Sequence, residues 1–237
     1  MVQHLNEASG TQYDSTTYNN DTISEDALYQ ATSSKVNGGD EFSTGTDGLR
    51  VAANESLRGM SAITISAWIW ADAKSSWDAV LMTASTTASN GDWNYYISLD
   101  GSGDKIVVGL EATGGDCYPQ SDSPLATSTW VYVVGRYDGT TCRLWIDGQM
   151  QTDYDDTAGG NIQRYEEPLQ IGDTTYTGAN QWDGQIDEVR ISRIARSSDF
   201  IETSYNNQNS PATFFSMSAQ EQGKAPVGYW AFDEGYG

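Results

Sequence analysis

One histidine, His4, and two cysteines, Cys117 and Cys142, are all that the 237 residues offer of the nitrogen and sulfur metal ligands. That supply excludes a Cys/His zinc site of ordinary make-up and most histidine-dependent catalytic triads. Two cysteines are too few for a disulfide scaffold and enough for one bridge, the alternative being two free thiols. A Cys117–Cys142 bridge is expected, and closing that loop would stabilise the fold by about 3 kcal/mol in the chain-entropy model. Basic residues are scarce as well. Only Lys35, Lys74, Lys105 and Lys224 are lysines, and 12 Lys+Arg face 33 Asp+Glu, for a net charge of −21. Repulsion of like charge argues against DNA, RNA or an anionic membrane surface as partner. It favours cations, calcium above all; the acids are scattered, however, and a merely soluble or salt-adapted surface is the other reading. No apolar run approaches the ~20 residues that span a bilayer, so membrane insertion is not expected. The opening MVQHLNEASG has neither the basic region nor the apolar run of a signal peptide, and reads as a start inside a longer protein.

What is abundant is alternation. ITISAWIW places Ile63, Ile65, Ala67 and Ile69 on one face. WNYYISL groups Trp93, Tyr95, Ile97 and Leu99, and KIVVGLE groups Ile106, Val108 and Leu110. WVYVVGRY (from Trp130) and CRLWID (from Cys142) follow the same period. Side chains two apart share a face of a sheet, so each segment predicts a strand. Between them stand turn residues: Asp138-Gly139, the LDGSGD stretch at Asp100 to Asp104, and Asp147-Gly148. Frequent strands with almost no helical period predict an all-β, antiparallel two-sheet sandwich or barrel. One short helix is expected after Ser198, with Asp199 as N-cap, Glu202 three residues on, and Phe200, Ile201 and Tyr205 as its apolar side.

Beyond that helix, residues 216–226 have linker composition. Shifting the chain by 227 positions lays HLNEASG (from His4) over AFDEGYG (from Ala231). Residues 227–237 therefore read as the first strand of a following repeat, which makes neighbouring repeats of the same chain a partner.

Four stretches carry a resemblance: HLNEASGTQYDSTTYNND (His4 to Asp21), ITISAWI (Ile63 to Ile69), STWVYVVGRYDGTTCRLWIDGQ (Ser128 to Gln149) and WDGQIDEVRISRIARS (Trp182 to Ser197). In order and spacing they resemble the laminin-G-like jelly roll of the concanavalin A-like lectin and glucanase superfamily, over about residues 1–215. Gln3 departs from it, standing where such domains often carry Trp. The resemblance implies two antiparallel sheets packed face to face. It also implies a non-catalytic, extracellular or cell-surface module that binds glycans or proteins, often with calcium. In this arrangement the first strand, Val2 to Glu7, lies beside Ile186 to Ile191.

Related glucanases carry Glu-x-Asp-x-x-Glu on one strand, which supplies an acid and a nucleophile ~5–5.5 Å apart. No such pattern occurs here. Adjacent Asp187 and Glu188 point to opposite faces of a regular strand, so no catalysis is expected. The resemblance makes Asp187 of DEVR a calcium ligand, with Glu7 and Asp14 alongside. Otherwise Asp187 or Glu188 pairs with Arg190 or Arg143, or caps a turn. Trp68, Trp130 and Trp182 read as core. Trp77, Trp93, Tyr118 and Tyr176 lie at strand ends or in loops, where rings stack on the apolar faces of sugars, or else cover the rim of the core. Two functions stay open: a carbohydrate-binding module, and an adhesive or spacer repeat making protein contacts.

Overall fold

The computed structural model describes residues 1–26, 29–31, 34–43, 48–84, 92–173 and 180–214. Its strands, numbered along the chain, form two antiparallel sheets. Sheet one runs β13 (Gln149–Asp155), β12 (Cys142–Ile146), β11 (Trp130–Tyr137), β6 (Ile63–Ala71), β15 (Gly184–Ser192), β4 (Gly39–Phe42), β3 (Tyr29–Ala31), with β1 (Val2–Gln3) also paired to β15. Sheet two runs β10 (Gly115–Cys117), β9 (Ile106–Ala112), β8 (Trp93–Leu99), β7 (Ala79–Ala84), β14 (Leu169–Ile171), β5 (Gly48–Val51), β2 (Thr22–Asp26).

The alternation builds the core between them. Ile63, Ile65, Ala67 and Ile69 of β6 meet Tyr95, Ile97 and Leu99 of β8 and Ile106, Val108 and Leu110 of β9 in one buried cluster. Sheet faces of this kind bury at about 25 cal/mol per Å² of apolar surface, which makes them the main stabilising element. Trp182 joins this cluster. Cys117 and Cys142 are joined in a disulfide with Cα atoms 6.2 Å apart. Cys117 sits on the edge strand β10, where a loop was expected, so the bond ties sheet two to β12 of sheet one through the core.

The first strand pairs where the resemblance puts it, Val2 opposite Arg190 and Gln3 opposite Val189, but for two residues instead of six. Leu5 ends it by taking a left-handed φ of 53° while burying its side chain. The strand carrying Asp187 is not regular. A bulge interrupts its pairing with β6 between Asp187 and Arg190, Glu188 takes a φ of 53°, and both acids are buried. A bulge breaks the simple alternation of faces, which is why opposite orientation fails here.

Helix α1 (Ser198–Asn209) is capped two residues before the expected position: the Ser197 hydroxyl accepts from the Phe200 N–H, and Asp199 falls inside the first turn. Ser197 has the extended backbone that a cap requires; Asp199 is already helical. A second helical turn, α2 (Pro211–Phe214), follows. α1 lies on the outer face of sheet one over a second cluster of Trp68, Tyr132, Val134 and Trp145, into which it inserts Ile201. Trp68 stacks on Tyr205 at 5.7 Å, and its Nε1 donates to Gln208 Oε1 at 2.6 Å. The linker and repeat expected over 216–237 lie outside the described residues.

Candidate functional site

Sheet two turns its other face outward, without a helix above it among the described residues. Register sets the positions on that face. Tyr96 of β8 lies opposite Gly109 of β9, and Glu111 of β9 lies opposite Asp116 of β10. Gly109 is small for a reason: a Cβ there would sit 2.1 Å from the Tyr96 ring, so only glycine lets that ring lie down on the neighbouring strand.

Trp93 completes the surface by breaking its own pattern. Strict alternation sends it inward with Tyr95 and Ile97. Pairing with β7 instead shifts register between Met82 and Ala84, leaving one extra residue on β8 between Trp93 and Tyr96. The bulge brings the Trp93 ring onto the outer face, 5.0 Å from Tyr96 and 5.9 Å from Tyr118. Three rings thus share one face. Tyr118 is 43% exposed, and Trp93 is half-buried.

Carboxylates frame the rings. The Tyr118 hydroxyl donates to Asp116 Oδ2 at 3.1 Å, and the Tyr165 hydroxyl donates to Glu111 Oε1 at 2.9 Å. Buried Asn94 fixes Tyr165 by gripping its backbone from both ends of the amide, accepting from its N–H at 3.1 Å and donating to its carbonyl at 3.2 Å. Burial, with Asp116 and Asp92 nearby, raises the Glu111 carboxyl above its usual range. Burial and the bond to Asp116 push the Tyr118 phenol up to about 12. Burial and Asp92 raise Glu167 as well. Among the described residues no Lys or Arg forms an ion pair with Asp92, Glu111, Asp116 or Glu167. The face is therefore aromatic, acceptor-rich and negative.

Two of the four rings named from the sequence, Trp93 and Tyr118, meet here. Trp77 does not. It is 48% exposed, but its N–H bonds to the Asp100 carbonyl at the far end of β8. Seven residues of strand separate it from Trp93, about 20 Å. Tyr176 lies outside the described residues. Tyr96, Glu111, Asp116 and Tyr165 were missed; a glycine inside the strand KIVVGLE was the available signal for a ring lying across it.

The expected calcium ligands are placed as follows. Asp14 is fully engaged: it accepts from the N–H groups of Val2, Thr16 and Asn20, the Thr16 hydroxyl and the Asn20 amide. Glu7 accepts from the Tyr13 N–H, while its buried Oε2 has no hydrogen-bond partner. Asp187 accepts from the Val36 N–H at 2.7 Å through Oδ2, while its buried Oδ1 has none. Burial pushes the Asp187 carboxyl up to about 7. Glu188 is held by Arg190, as the alternative to calcium ligation anticipated, and also by His4 at 2.5 Å. Among the described residues, no three His, Cys, Asp or Glu side chains converge on a point that could hold a metal. Asp14 thus does not fit a calcium site, whereas Glu7 and Asp187 each have one oxygen to give.

The architecture recurs in solved structures. The binding domain of botulinum neurotoxin serotype G superimposes with a TM-score of 0.66 at 11% identity, covering 84% of this chain and 49% of its own. The binding domain of botulinum neurotoxin DC, solved in complex with SialylT, gives 0.63 at 14%, covering 87% and 50%. Domain 4 of AbnA, a GH43 extracellular arabinanase from Geobacillus stearothermophilus, solved with arabinotriose, gives 0.58 at 15%, covering 75% and 80%. The chain spans about half the length of the toxin domains it matches. At these identities the likeness is one of fold. No curated protein matches by sequence. A laminin-G family model matches residues 43–202, most of the chain, and the chain accordingly belongs to the concanavalin A-like lectin/glucanases superfamily.

Proposed function

We propose that this chain is a non-catalytic glycan-binding module that uses the outer face of sheet two. The observation that carries the reading is the pair of accessible rings, Trp93 and Tyr118, backed by Tyr96, which is buried against Gly109, and bordered by Glu111 and Asp116. Rings supply flat apolar surface for a sugar's C–H face, and carboxylates accept from its hydroxyls. That no Lys or Arg pairs with the four carboxylates around the rings, among the described residues, favours neutral glycans over sialylated or sulfated ones. One structural neighbour holds arabinotriose, itself a neutral oligosaccharide. Glu111 and Asp116 face each other across β9 and β10, yet each already accepts from a tyrosine hydroxyl, and neither is placed as a free proton donor. The disulfide supports an oxidising, extracellular or cell-surface setting. Were calcium bound, Glu7 and Asp187, each with one unpartnered carboxylate oxygen, would be the residues to offer it a ligand.

A neutral-glycan array followed by calorimetry on the best binder tests the reading, with Trp93→Ala and Tyr118→Ala as variants. Both are expected to weaken binding by about tenfold or more. No reducing sugar is expected to be released on long incubation. An unaltered affinity in both variants would remove the face from consideration and leave protein contact as the function.

A further inference from the structure

The other side of the molecule holds a cavity, away from the ring face of sheet two. Between the outer face of sheet one and helix α1 lies a cavity of about 110 Å³. Its floor is fixed by register: Ser66 of β6 lies opposite Arg190 of β15, and Thr64 lies opposite Ser192. Arg196, from the turn into α1, and Ser204, from α1 itself, close it, while Val134 and Ile201 form the apolar wall.

The chemistry of the lining is one-sided. Glu188 takes Nε and Nη2 of Arg190, which leaves Nη1. Arg196 lays its guanidinium 4.5 Å over the Phe200 ring, and its Nε is buried with no hydrogen-bond partner. The hydroxyls of Ser192 and Ser204 belong to residues of the same lining. Thr64 is already used, donating to the Ile194 carbonyl and accepting from the Arg196 N–H. The nearby acid, Glu188, is shared between Arg190 and His4. Two guanidiniums line the cavity and, among the described residues, no carboxylate does, in a protein of net charge −21. Guanidinium groups donate and cannot accept, so water relieves them less well than an oxyanion does. Screening over about 8 Å at physiological salt shelters the cavity from the acidic remainder of the surface.

The geometry points to an oxyanion-binding site here: a phosphate, sulfate or similar group of that size, held by Arg190 Nη1, Arg196 Nε, Ser192 and Ser204. The group is either a free ion or a substituent on a larger ligand.

Calorimetry on the whole chain with inorganic phosphate and sulfate, against chloride at matched ionic strength, tests it. A third arm uses galactose 6-sulfate. Phosphate or sulfate is expected to bind, and Arg196→Gln and Ser204→Ala are each expected to weaken that binding by about tenfold. Trp93→Ala is expected to leave it unchanged. Galactose 6-sulfate binding as well as sulfate supports a substituent on a larger ligand; binding of the inorganic ions alone supports a free ion. Should Arg196→Gln fail to fold, Ser204→Ala carries the test. No binding above chloride, or binding that both variants retain in full, overturns the site.

Discussion

Trp93 owes its position to one extra residue in β8, and the exposed rings can be ranked by such local events. Trp77 is the more exposed ring, yet it stands alone beside the Asp100 turn. Trp77→Ala is accordingly expected to leave glycan affinity within about twofold of the parent, while Trp93→Ala lowers it by about tenfold or more. Equal losses in the two would contradict the assignment. A second residue-scale prediction concerns Asp78, which is buried and accepts from the Ser75 N–H at 2.6 Å. Burial, with Asp183 nearby, raises its carboxyl from 3.8 to about 6, so the folded state holds its proton more tightly than the unfolded chain does. The stability this contributes is complete below about pH 4 and is lost as pH rises through about 6. Asp78→Asn keeps an acceptor for Ser75 and cannot ionise. It is expected to match the parent near pH 4 and to exceed it by about 2 kcal/mol above pH 7, measured by urea unfolding. A difference that does not change with pH would count against this account. At this scale the sequence was least informative: Trp93 and Tyr118 were visible as rings near strand ends, but neither the bulge nor the Glu111–Asp116 pairing follows from single-residue properties. Asp14 shows the same limit, since only the fold wraps Val2, Thr16 and Asn20 around its oxygens.

At the scale of elements the sequence was far more legible. Period-two alternation located β6, β8, β9, β11 and β12, because a buried face must repeat every second residue. Helix α1 was found too, with its cap displaced by two residues. Short strands such as β14 and β10 were not, since three residues cannot display a period. The elements also differ in what they support. Helix α1 covers Trp68, Tyr132 and Trp145, and Ile201 is its anchor. Ile201→Ala is expected to cost about 3 kcal/mol by leaving a cavity beneath the helix, with a matching fall in the urea midpoint. The pair β8 and β9 depends on Gly109 in a different way. Gly109→Ala is expected to displace the Tyr96 ring and to reduce glycan affinity about as much as losing a ring, while circular dichroism keeps the β signature. A variant that binds normally would show that Tyr96 need not lie flat.

Across the whole molecule, the disulfide and the charge act together. Native protein is expected to show no alkylatable thiol by mass spectrometry. Cys117→Ser with Cys142→Ser is expected to lower stability by about 3 kcal/mol, the closure of a 25-residue separation. The surplus of acids makes the compact state repel itself, so added sodium chloride is expected to raise the melting temperature of both forms. Calcium tested against sodium at matched ionic strength separates a bound ion from that general screening. A calcium-specific rise that Asp187→Ala abolishes would identify the ion, and its absence would return Asp187 to the role of a buried carboxyl bonded to Val36.

The short pairing of β1 with β15 has a mechanical meaning. Met1 donates its amino group to the Ile191 carbonyl, and the Ile191 N–H bonds back to Met1, so the start of the chain lies beside the exit of β15. Tension applied to these two points peels the pairing one bond at a time, because antiparallel neighbours loaded at the same end open like a zipper. The first yielding step is thus soft. The last is hard-limited: with Cys117 bonded to Cys142, the 25-residue segment between them cannot be drawn out, which withholds about 90 Å of contour length. Pulled along this axis, the module would give early, lengthen, and stop short of its full extension until the bond is reduced.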